Sequence, residues 1–113
     1  MSEFVFLYVN GEPPATPEQA QQMTQRWMTW MHELAESGHL KDRGVPLERT
    51  GKVVSGTTSK TVTDGPFAEK DIVSGFSLIL AKDIDEAVEC SLGCPIFSAG
   101  GAVEVRPVRQ LTM

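Results

Sequence analysis

A chain of 113 residues has room for one domain. Ten basic residues against fifteen acidic ones give a net charge of −5, and without a basic run to neutralise phosphates this argues against nucleic-acid binding. No apolar stretch approaches the roughly 20 residues of a membrane span, and Met1-Ser2-Glu3 leads straight into a strand without a signal-peptide pattern, so the expected location is the cytoplasm.

Phe4 to Val9 is apolar at every position. Phe4, Phe6 and Tyr8 share one side and Val5, Leu7 and Val9 the other, so the strand asks for cover on both faces. Asn10-Gly11 and prolines 13, 14 and 17 break it. Thr16 is an N-cap candidate with Pro17 at N1 and Glu18 in the first turn. The helix is expected to run to about Ser37, with Met23, Trp27, Trp30, Met31 and Leu34 on one stripe at the 3.6-residue period. Gly38 ends it as a C′ glycine.

Residues 39–51 read as polar and irregular. Lys52 to Ser55 and Ser59 to Thr63 read as two short strands around Gly56-Thr57-Thr58. Asp64-Gly65-Pro66-Phe67 then makes a corner: Gly65 is held extended by the proline that follows, and Asp64 can turn its carboxylate onto nearby backbone N–H groups. Val73 to Ala81 forms a strand with Phe76, Leu78 and Leu80 on one side and Ser77, Ile79 and Ala81 on the other. Asp83 with Glu86 makes an Asp version of the capping box. The helix carrying Ile84, Ala87, Val88 and Leu92 ends near Gly93, and Val103 to Val108 is the last strand.

The order β-α-β(β)-β-α-β is that of an α+β, ferredoxin-like split βαβ domain with an antiparallel sheet. Two helices cover only one face of such a sheet, and the first strand is apolar on both. The expected cover for the second face is another copy of the chain, a homodimer with its sheets face to face.

Cys90 and Cys94, spaced i, i+4, read as small buried hydrophobes, because two cysteines are too few for a zinc site and a helix C-terminus raises thiol pKa values. No metal is expected. Gly100-Gly101 precedes a strand and not a helix, so no phosphate loop is present and no cofactor is expected.

Asp64-Gly65-Pro66-Phe67-Ala68-Glu69, Gly75-Phe76, Asp83-Ile84-Asp85-Glu86-Ala87, Cys94-Pro95 and Val103-Glu104-Val105-Arg106-Pro107-Val108 together resemble the DGPF-domain branch of the YCII-related proteins. The resemblance spans essentially the whole chain. It implies a ferredoxin-like subunit forming a dimeric α+β barrel. It also implies either a small enzyme using a His/Asp pair or a protein associated with extracytoplasmic-function sigma factors. Where the enzyme-like branch carries its helix histidine, this chain carries Trp27.

The leading expectation is a dimeric ligand-binding or regulatory module, with a pocket for a small aromatic or cyclic ligand lined by Trp27, Asp64, Phe67 and Phe76. The alternative is a cofactor-independent isomerase- or lyase-type enzyme in which Asp64, with His32 or a residue from the partner subunit, moves a proton on a small cyclic or aromatic substrate. A third reading is a protein-interaction partner of a transcription factor. Each residue also has a structural reading. Asp64 can simply hold its turn, Trp27 and Trp30 can be core, and His32 lies opposite the apolar stripe, where exposure is expected. His39, just past the helix, reads as a surface or cap residue. A buried Asp64–His32 contact would favour the enzyme and an exposed His32 the module.

Overall fold

A computed structural model of the chain describes residues 1–66 and 71–111. Strand β1 (Ser2–Val9) is followed by helix α1 (Pro17–Glu36), then strands β2 (Leu40–Asp42), β3 (Gly51–Ser55), β4 (Thr61–Gly65) and β5 (Val73–Ala81). Helix α2 (Ile84–Ser91), a 3-10 segment (Pro95–Ala99) and strand β6 (Ala102–Pro107) complete the chain.

The main sheet is antiparallel in the order β2-β5-β1-β6. Omitting the β3–β4 hairpin, which forms a separate sheet, this is the split βαβ arrangement in which each helix returns the chain across a neighbouring strand. Register sorts the side chains. Phe4 pairs with Ile79, Phe6 with Ser77 and Val105, and Tyr8 with Gly75 and Val103. Those residues make the helix-covered face, with Phe4, Phe6, Tyr8, Ile79 and Ala81 buried. Val5 pairs with Leu78 and Leu7 with Phe76 on the opposite face, where all four are only half-buried. Among the described residues no helix covers that face.

Both helices begin where local chemistry directs. Thr16 accepts a hydrogen bond from the Gln19 N–H (3.1 Å), satisfying one of the free donors of the first turn of α1, with Pro17 preset at N1. Asp83 does the same for the Glu86 N–H (2.9 Å), while the Glu86 carboxylate reaches back to the Lys82 N–H. Helix α1 buries Trp30 and Leu34 against the sheet, with Trp27 and Met31 packed at the margin of that core. Each fully buried side chain of this size contributes about 1.5–3 kcal/mol. Trp30 stacks on Phe6 at a centroid distance of 6.3 Å.

The expected irregular stretch after α1 instead supplies the edge strand. Leu40 pairs with Ile79, and Pro46 forms an isolated bridge to Gly75 further along β5. An edge strand needs backbone partners more than an apolar pattern, and here Leu40 alone carries the inward-facing apolar group, so the sequence signal was weak. The two strands read from residues 52–63 do form, in full register from Gly51–Gly65 to Ser55–Thr61. They pair only with each other and leave Val54 and Val62, directly opposite one another, exposed.

Candidate functional site

A groove of about 1140 Å³ opens between α1 and the β2 edge of the sheet. It exceeds the usual range of about 300–1,000 Å³ for small-molecule sites because it is a cleft open to solvent and not an enclosed cavity. Its walls are mostly apolar. Met23, Trp27 and Met31 come from α1, Tyr8 from β1, and Val45 and Pro46 from the segment that continues β2.

Two aromatic contacts set the attitude of Trp27. Its ring meets Tyr8 edge-on at 4.8 Å and 83°, and Trp30 at 5.6 Å and 80°. The indole is half-buried, its remaining surface available to the groove. Met23 and Met31 beside it have flexible thioether side chains that can adapt to ligands of different outline.

Beneath this wall lies a buried polar relay. The Tyr8 hydroxyl donates to Ser77 Oγ (2.8 Å), and the Ser77 hydroxyl donates to the Arg43 carbonyl (2.7 Å). Ser77 has no exposed surface, and its hydroxyl accepts one bond and donates another. Burial raises the Tyr8 phenol above its ordinary value, partly offset by the bond to Ser77, so the group stays protonated at neutral pH and serves as a donor. The arrangement ties β1, β5 and the residues after β2 into one wall. Ser77 was legible only as a lone hydroxyl among apolar neighbours in its strand. Its partners lie 69 and 34 residues away in sequence, beyond the reach of any local pattern.

Of the residues singled out from sequence, Trp27, Phe76 and His32 border this groove. Phe76 does so from the strand edge, where its carbonyl lies under Gly44. Its register opposite Leu7 assigns it to the sheet face without helices. His32 sits on the rim, its side chain 72% exposed, with Nε2 3.0 Å from the Glu36 carboxylate one turn on. Asp64 is elsewhere. It stands on β4 directly across from Lys52, pairs with that ammonium, and is 88% exposed. The residues onto which its expected turn would fold lie partly outside the described residues, and the Gly65–Pro66 peptide that follows is cis. The structure therefore does not bring Asp64 and His32 together. Phe67 lies outside the described residues.

His39 is more integrated than a surface or cap residue. Its Nδ1 bonds the Leu80 carbonyl (2.7 Å), its own carbonyl accepts from the Leu80 N–H (2.8 Å), and Glu86 stands 3.8 Å away. It fastens the end of α1 to β5. Cys94 is buried at the start of the 3-10 segment and not on α2, and burial pushes its thiol up to about 12. Cys90 is also raised, chiefly by partial burial. Among the described residues no three His, Cys, Asp or Glu side chains are grouped to hold a metal, and no helix is long and apolar enough to cross a membrane.

The YCII-related domain matches residues 4–112, nearly the full chain. The chain belongs to the YCII-related family. No curated protein matches it. Among solved structures it resembles the 5-chloro-2-hydroxyhydroquinone dehydrochlorinase of Burkholderia phenoliruptrix AC1100, in complex with 2,5-dihydroxybenzoquinone. The identity is 19% and the TM-score 0.50, with 93% of each chain covered. At that identity the YCII-related chain shares a fold with the dehydrochlorinase, in agreement with its α+β antiparallel architecture.

Proposed function

We propose that this YCII-related protein binds a small planar cyclic or aromatic ligand in the groove beside Trp27 and acts as a ligand-binding or regulatory module of the DGPF type. The observation that carries the reading is the wall itself. Trp27, held at near right angles to Tyr8 and Trp30, lines the groove together with Met23 and Met31. The two groups that an acid–base mechanism would pair, Asp64 and His32, are each exposed and each engaged with a different neighbour. Titrating the 15N-labelled protein with 2,5-dihydroxybenzoquinone and related ring compounds tests it. The Trp27 indole N–H signal should shift with saturation while Trp30, buried in the core, moves little. An unmoved Trp27 signal at millimolar ligand refutes the reading.

The enzyme reading draws on one observation, that a neighbour of the same fold is a dehydrochlorinase. It has a separate readout: chloride release from a chlorinated hydroquinone that is lost in His32→Gln would establish it.

The same proposal includes a homodimer closed through the helix-free sheet face as an α+β barrel. Val5, Leu7, Leu78 and Leu80 form a contiguous half-buried surface there, and sheet-on-sheet packing is the usual way to remove such a face from water.

A further inference from the structure

We infer that the ligand of this groove is an aromatic anion and that Arg43 is the residue that selects it; the inference rests on the groove reading above and names the charge of its ligand. Among the described residues, besides the Tyr8 phenol, three charged or chargeable residues border the groove: Glu12, His32 and Arg43. His32 is engaged with Glu36. Glu12 is held beside the 3-10 segment by its backbone, its N–H bonding the Ala99 carbonyl (2.9 Å), and its carboxylate likewise has no side-chain partner among the described residues. Among the described residues the Arg43 guanidinium forms neither an ion pair nor a side-chain hydrogen bond, although the chain carries five more acids than bases. The nearest acid in sequence, Asp42, has its carboxylate on the Gly44 N–H (2.8 Å).

The root of Arg43 is fixed. Its carbonyl receives the Ser77 hydroxyl, the end of the relay that begins at the Tyr8 phenol in the groove wall. Its neighbour Gly44 is pressed against the Phe76 carbonyl with no room for a Cβ. Its guanidinium can offer a planar fork to a carboxylate while the ring lies on Trp27 and Met31.

The test compares 2-naphthoate with neutral 2-naphthamide, read through the Trp27 indole N–H at pH 7 in the wild type, Arg43→Gln and Arg43→Lys. The carboxylate should bind the wild type about ten-fold more tightly than the amide, the size of one charge-assisted contact. Arg43→Gln should erase that preference, and Arg43→Lys should retain part of it. Because the Arg43 side chain is exposed, the variants should melt with the wild type, which reports an intact fold. Equal binding of acid and amide to the wild type, or a preference that survives Arg43→Gln, overturns the anchor while the groove reading stands. Failure of both ligands to shift Trp27 overturns the two together.

Discussion

Gly44→Ala is the sharpest probe of how the groove wall is held. Gly44 has φ = +69°, and an ideal Cβ built on it would lie 1.8 Å from the Phe76 carbonyl oxygen and 2.7 Å from its carbon. The left-handed conformation alone costs an L residue about 1–2 kcal/mol. A contact of 1.8 Å with main chain cannot be relieved by a rotamer, so the segment must lift from β5. Lifting it strains the Ser77–Arg43 bond, the Asp42 bond to the Gly44 N–H and the Phe76 N–H to Val45 carbonyl bond. At about 0.5–1.5 kcal/mol net for each bond, losing two brings the total to about 2–5 kcal/mol. For a chain of this length the unfolding entropy is about 0.24 kcal/mol/K near the midpoint, so the melting temperature should fall by about 8–20 °C. Gly38→Ala is the matched control: φ is +80° there, but nothing lies within 4 Å of the added methyl. It should lose only the conformational term, about 4–8 °C. Thermal melts by circular dichroism at one fixed protein concentration make the comparison, since dimerisation would make the midpoint concentration-dependent. A Gly44 variant no less stable than the Gly38 variant refutes the close approach of the β2 segment to β5.

Leu78→Glu, on the helix-free face, should convert a dimer into a folded monomer at tens of micromolar by sedimentation velocity, because a two-fold interface confronts each new carboxylate with apolar surface or its own copy. A wild type that sediments as a monomer, or a variant that remains dimeric, removes that face as the interface. Cys94 predicts an alkaline limb in the stability curve. Its folded pKa is raised from 9.0 to about 12 by burial, so above pH 9 the unfolded chain releases a proton that the fold retains. Its effect on stability is level below pH 9 and falls between 9 and 12, by at most about 1.4 kcal/mol per pH unit. Cys94→Ala should show a shallower decline in urea midpoints from pH 8 to 10.5; parallel slopes in the two proteins would falsify the assignment.

Much of the scaffold was readable along the chain because its signals are local. Thr16-Pro17-Glu18 and Asp83 with Glu86 start the helices where the structure starts them, since a cap is satisfied within three or four residues. The division of β1 and β5 into two faces matches their burial because side-chain direction in a strand is set by parity. The exposure of His32 followed from helix geometry in the same way. The identity of the edge strand was not readable, because β2 joins the sheet through backbone bonds that any sequence can make, while the more strand-like residues 51–65 pair among themselves. Nor could the chain order disclose the groove wall. Asp64 stood out as a motif yet pairs with Lys52 on the hairpin, whereas Tyr8, Ser77 and Arg43, which belong to no motif, meet across 34 to 69 residues. Helix starts, strand faces and the family are written in local order along the chain, whereas the meeting of polar groups depends on packing, because a buried hydroxyl takes its partners from whatever strands lie beside it.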